Sequence, residues 1–186
     1  GAGGLFTTTR PDDARTYMKW ARLAGRATDV RVFNPEQKWR LSLLDYCYHQ
    51  AGSRGAGDTD NVVALLGELL EFKNRGRETG AENQFWFDYA RKALGHFIDL
   101  LACAGEAVSF GGINKVLQST PRSLEEVRSS DWQEKSFANQ LVDRAVANKK
   151  LSAVQQTDLA LALEFVLSVL PRMDERLRSG VIATLD

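Results

Sequence analysis

The stretch that decides the fold is Val32–Tyr46, VFNPEQKWRLSLLDY. Its first residues complete an alternating run, Asp29 to Asn34, and alternation of polar and apolar side chains is the period of a half-buried strand. Asn34-Pro35 reads as a turn. Trp39 to Leu44 reads as a second extended run. Upstream, Leu5 to Thr9 is β-branched and bounded by glycine and Pro11, which predicts another short strand. Between them Pro11-Asp12-Asp13 opens a helix, because proline is tolerated in the first turn and acids suit the positive end of the dipole. Tyr17, Trp20, Ala21 and Ala24 recur at helical spacing, and Gly25 is the stop. Strand, helix and strand of these lengths predict a parallel βαβ unit over residues 1–50.

Beyond Tyr46 the pattern changes to helix. HQAGSRGAGD, residues 49–58, is a loop by composition. Residues 59–72 carry a wide apolar stripe from Val62 to Phe72, and KNRGRETG, residues 73–80, interrupts it. Gln84 to Ala102 is the strongest helix, with Phe85, Trp86, Tyr89, Ala90, Leu94, Phe97, Ile98 and Leu101 facing inward and Gly105 ending it. A short helix spans Gly112 to Gln118, and Pro121 stops it. Ser123 with Glu126 has the spacing of a capping box. Further helices are expected over Trp132–Asn148 and Ser152–Leu170. LALALEFVLSVL in the second is apolar almost all round, which predicts burial on most sides. Pro171 kinks or restarts that helix, and Arg172 to Leu185 continue it. The expected class is therefore mainly α: a helical domain over residues 51–186 carrying a small N-terminal βαβ element. Parallel sheets are normally larger and covered on both faces, so two such strands predict a fragment of a larger α/β fold.

Composition narrows the function classes. The chain has 186 residues, enough for one domain plus an appendage. Twenty-four basic and twenty-four acidic residues cancel, which argues against a uniformly positive nucleic-acid-binding domain but leaves room for a local basic patch. Cys47 and Cys103 lack disulfide-framework or metal spacing and read as buried free thiols, hence a cytoplasmic setting. No run is expected to cross a bilayer. His96 reads as a structural or surface histidine, since no second ligand lies one turn away. Cys47 and His49 would share a face if they alternated on a strand, the only arrangement that offers a nucleophile with a base. Asp12-Asp13 and Glu125-Glu126 read as cap and dipole residues. The basic residues Lys73, Arg75 and Arg77 in the loop, and Lys149 with Lys150 at a helix end near Arg144, are the candidate phosphate contacts. Phe85, Trp86, Phe87 and Tyr89 are spaced for core packing rather than base stacking, with Phe87 the outermost.

The order RPDDA, AGR, VFNP, LDY, NQFWFDYARKALGHFIDLL and STPRSLEEVRSSDW resembles the coupling ATPases of bacterial conjugation and type IV secretion over nearly the whole chain. The matching residues are Val32 to Pro35, Leu44 to Tyr46, Phe85, Trp86 and Ala90. The resemblance implies an edge of the nucleotide-binding motor domain followed by its inserted all-α domain. It implies a hexameric parent at the bacterial inner membrane that translocates DNA, with ATP and Mg²⁺ as the parent's cofactors. DNA, a relaxase or another secretion substrate, and neighbouring subunits are the implied partners. No G-x-x-x-x-G-K-[ST] loop and no acidic strand end for magnesium occur in these residues, so no catalytic residue, cofactor or metal is assigned to this chain and no ATP hydrolysis is expected of it. The strand end reads TTTRPDD instead of the family's Asp-Pro-Lys-Gly-like element, so no nucleotide contact is carried to Arg10. The alternative from another class is a stand-alone helical protein–protein interaction module. A small thiol enzyme built on Cys47 is a third.

Overall fold

The computed structural model describes residues 8, 10–34, 42–50, 58–73, 81–175 and 178–180, and the side chains of these except at helical positions 11, 50, 58, 70, 71, 73 and 81–86. Two compact units result, Gly1–Leu41 and Ser42–Asp186. The division expected after residue 50 falls past the first helix of the second unit. Apart from Thr8, the expected strand Leu5 to Thr9, with residues 39–41 of the second extended run and the end of the final helix, lies outside the described residues.

In the first unit, α1 runs Pro11–Leu23 with proline in its first turn, followed by Asp12 and Asp13. Arg10 gives no side-chain cap. The Thr8 hydroxyl instead donates to Asp13 and accepts from the Arg10 amide. Gly25 stops the helix at φ +69°, where a side chain would be strained. The Arg26 amide then donates to the Ala21 carbonyl and the Gly25 amide to that of Arg22, which is a Schellman closure. Ala27–Asp29 forms a 3₁₀ turn tied by an Arg26 to Asp29 pair at 2.8 Å. Val30 has extended torsions, but residues 30–34 form no strand. The strand expected from Asp29 to Asn34 is therefore not seen among the described residues. Alternation predicts which side chains share a face, whereas a strand also requires a neighbour to bond with.

The second unit is a helical bundle, as its periodicity predicts. Leu43 and Leu44, expected to end an extended run, instead open α2, Leu43–Gln50. The reason is visible in its contacts. Asp45 accepts the Val108 amide at 3.0 Å, and the Ser42 hydroxyl donates to the Val108 carbonyl at 3.3 Å. Leu44 and Tyr48, one turn apart, are buried. Helix α3, Asp58–Lys73, and the long α4, Ala81–Cys103, follow. On α4 the expected residues Ala90, Leu94, Phe97, Ile98 and Leu101 are buried, Ala93 joins them, and Tyr89 is half-buried, an i, i+3, i+4 stripe. Helices α3, α5 (Phe110–Ser119), α8 (Phe137–Ala147) and α9 (Ala153–Glu164) pack on α4 from different sides, which explains why Leu100 is buried as well. Gly105, at φ +69°, closes α4 with the same Schellman pattern as Gly25.

Short helices α6 (Leu124–Val127) and α7 (Ser130–Lys135) link α5 to α8. Ser109, Ser123, Ser129, Ser136 and Ser152 cap α5 to α9 in turn, each accepting the amide three residues on. Such a cap is worth roughly 1 kcal/mol. Two details depart from expectation. The Glu126 carboxylate accepts the amide of Arg122, not of Ser123, so the reciprocal half of that capping box is missing. The full box is Ser152 with Gln155. The helix expected over Trp132–Asn148 is broken at Ser136, whose hydroxyl both caps α8 and donates to the Ser119 carbonyl at 2.8 Å, beside the indole N–H of Trp132 on the same oxygen.

The last long helix keeps its expected place but not its expected burial. Leu159, Ala162, Phe165, Val166 and Leu170 are buried, while Val154 and Leu161 are exposed. Residues Ala153–Arg172, 20 in all with mean hydropathy 1.4, are long and apolar enough to cross a membrane by length and composition alone, a test that the core helix of a helical bundle also passes. Their Leu159–Phe165 face packs into the bundle core. Pro171 has no amide hydrogen and its ring crowds the carbonyl four residues back. The chain responds with a π turn at Phe165–Val169, closed by the Leu170 amide on the Phe165 carbonyl, and a 3₁₀ turn at Leu170–Arg172.

Gly95 lies mid-helix in α4, and a methyl group there would sit 3.8 Å from Val63 and 3.9 Å from Thr59, ordinary contact distances. Gly95→Ala therefore removes unfolded-chain freedom without a clash and should stabilise by about 0.5–1 kcal/mol in thermal unfolding. A lower midpoint would mean that α3 and α4 approach more closely than described.

Candidate functional site

Of the candidate phosphate contacts, Lys73 and the Lys149–Lys150 pair lie at opposite ends of α4. Thr59 of α3 bonds Asp99 of α4, and Gly67 faces Arg91, so the two helices are antiparallel and Lys73 is level with the start of α4. Lys149 and Lys150 lie by the other end, where the Asn148 amide group donates to the Cys103 carbonyl at 2.9 Å. At 1.5 Å per residue these ends are about 25–30 Å apart. Lys73 is the last residue of α3, and its side chain lies outside the described set; so do Arg75 and Arg77 altogether. Lys149 and Lys150 are exposed. Arg144, their neighbour, is paired to Glu106 at 2.8 Å. Both α4 and α8 end here, and their negative dipole ends are themselves a reason for three cations.

The thiol arrangement fails on geometry. Cys47 and His49 lie on α2, a helix and not a strand, where residues two apart point to nearly opposite sides. Cys47 is half-buried, whereas His49 is exposed and lies 3.7 Å from Asp45.

What the bundle does assemble, and the sequence reading missed, is a polar seam between α3, α4 and α9. The Thr59 hydroxyl donates to the Asp99 carboxylate, with Asp60 and Asp158 near enough to add like charge. Burial first, then those acids, raise the Asp99 pKa to about 6 against the opposing pull of the Thr59 bond. One turn along, burial and then Asp99 and Asp158 push the Cys103 thiol to about 11, so it stays protonated. Its hydrogen points at the Gln155 carbonyl, 3.6 Å away. His96 stacks on Phe165 at 4.6 Å, and burial followed by the Lys92 charge lowers its pKa. These groups keep an acid, a thiol and an imidazole in their neutral forms longer than water would. Among the described residues, no three His, Cys, Asp or Glu side chains converge as metal ligands. The available signal was FIDLL, an acid inside the most apolar stretch of the strongest helix.

No protein-family model, no curated protein and no solved structure matches this chain.

Proposed function

We propose that this chain is part of a conjugation or type IV secretion coupling protein, joining an edge of the motor domain to most of its all-α insertion. In this reading the insertion recognises transferred DNA or its relaxase complex, and the chain itself does no ATP chemistry. Nucleotide and Mg²⁺ belong to the parent hexamer, cytoplasmic at the inner membrane. One observation supports it most: the first unit resembles half of a layer. Tyr17, Trp20 and Leu23 form an exposed apolar ridge on α1 (38%, 57% and 78% exposed), followed by residues 30–34, which form neither helix nor strand and begin with extended torsions at Val30. A βαβ edge that meets the rest of its sheet would cover that ridge and draw those residues into a strand. The order of RPDDA, VFNP, LDY and FWFDYA gives the same reading. A second reading, a helical protein–protein interaction module, draws on the exposed Val154 and Leu161 of α9.

DNA contact is tested by anisotropy with a fluorescent single-stranded oligonucleotide between about 50 and 200 mM salt, where each phosphate contact contributes a slope of about 0.7 in log K against log salt. The double substitution Lys149→Ala/Lys150→Ala should weaken binding and reduce that slope by one to two contacts. An unchanged slope removes these lysines from the interface. An absence of binding at the lower salt turns the reading from DNA to protein cargo.

A further inference from the structure

Between the end of α5 and residues Met173, Glu175, Arg178 and Ser179 lies a cleft of about 540 Å³, within the range of small-ligand sites. Arg122, Arg178 and Glu175 supply its charges, Gln118 and Ser179 its neutral polar groups, and Leu117 with Met173 an apolar wall. Arg178 is held rigidly. Its guanidinium donates to the Pro121 carbonyl at 2.6 Å and to the carbonyl and hydroxyl oxygens of Thr120, both at 3.1 Å. An arginine has five N–H donors, so at least two remain. Arg122 is exposed, and among the described residues its engagement is through its backbone amide, on Glu126. Burial and the charge of Arg122 both act against the Arg178 cation, partly offset by Glu126. Two guanidinium groups thus share one concave site, one fixed by three bonds and the other free to close.

We propose that this cleft binds a carboxylate carrying an apolar body, gripped between Arg122 and Arg178 with the body against Leu117 and Met173. Among the described residues the lining carries two cations and one anion, so a single negative charge balances them, whereas a phosphate dianion overshoots. Guanidinium with carboxylate is also the bidentate match that makes such pairs strong. The same chemistry is offered by a small free acid and by the terminal carboxylate of a polypeptide. This inference stands apart from the coupling-protein reading and survives its failure.

The test is an NMR titration of the intact chain with 4-methylpentanoate, N-acetyl-leucine, N-acetyl-leucinamide and 4-methylpentyl phosphate. The Gln118 and Ser179 amides and the Met173 methyl are followed. Saturable shifts confined to these groups are expected with at least one carboxylate, with the amide and the phosphate at least about tenfold weaker. Preference for N-acetyl-leucine assigns a polypeptide terminus, and preference for 4-methylpentanoate a free acid. Arg122→Gln should lose at least about tenfold in affinity with the unbound spectrum otherwise unchanged. Arg178→Lys, which keeps a cation but not the fork, should weaken binding while the fold remains. Equal binding of the amide, tighter binding of the phosphate, no binding of either acid, or indifference to Arg122→Gln each overturns the proposal.

Discussion

Phe97→Ala is expected to lower the thermal midpoint of the helical unit by about 10–20 °C. Phe97 is wholly buried in the C-terminal half of α4 and meets Phe165 edge-on at 6.3 Å, where the π turn carries the last long helix across it. Truncating a buried phenylalanine costs roughly 3–5 kcal/mol, because transfer energy and cavity add. That is a large share of the roughly 5–15 kcal/mol a domain has in total. The neighbours cannot readily collapse into the space, since Leu94, Ile98 and Leu101 on the same helix and Val166 on the facing one are themselves buried. Phe110→Ala is the control. That ring is 59% exposed and its removal should cost within about 0.5 kcal/mol. Equal effects of the two substitutions, read by circular dichroism melts, would contradict the assignment of α4 as the axis of the core.

The second large effect is a stabilisation. With its pKa raised from 3.8 to about 6, Asp99 holds its proton more tightly in the folded than in the unfolded chain. Its contribution to stability is therefore greatest below pH 3.8, falls as pH rises from there to about 6, and is constant above. The full difference is roughly 3 kcal/mol, from 1.36 kcal/mol per pKa unit. Asp99→Asn keeps an acceptor for the Thr59 hydroxyl and abolishes the charge. Above pH 6 the variant should be more stable than the parent by about 1–3 kcal/mol in urea unfolding, and below pH 4 the two should converge. His96 works in the opposite sense. Its lowered pKa contributes stability above about 6.5 that is lost as pH falls through the folded value, and because both proteins carry it, their difference cancels it. A constant difference across pH, or a less stable variant at pH 8, would mean that Asp99 is well solvated and charged in the fold.

Much of the helical architecture was legible in the residues, and the reasons are local. Pro11 with two acids, and Gly25 and Gly105 with their left-handed torsions, mark helix ends by chemistry that needs no partner. The stripe on α4 is long enough for its period to be unmistakable. What failed depended on distant partners. Leu43 and Leu44 look extended until Asp45 is seen holding the Val108 amide, sixty-three residues away. The break at Ser136 depends on the Ser119 carbonyl, and the Glu126 carboxylate prefers the Arg122 amide to its capping-box partner. The apolar run after Ser152 gave no clue to its exposed side, because Val154 and Leu161 differ from Leu159 only in which way the helix is turned. The candidate site was least legible of all. The candidate cations were chosen by proximity in sequence, yet Lys73 and Lys149 mark opposite ends of α4. The two arginines of the cleft, 122 and 178, are brought together only by the packing of the last turn against α5.

The most direct test of the proposal is a structure of the gene product in its longest form, with attention to residues 30–34. The coupling-protein reading predicts that their amides and carbonyls bond to parallel neighbours, and that Tyr17, Trp20 and Leu23 are covered within the same layered fold beside a phosphate-binding loop. Residues 30–34 found helical, or outside any sheet with the α1 ridge in water, would contradict it.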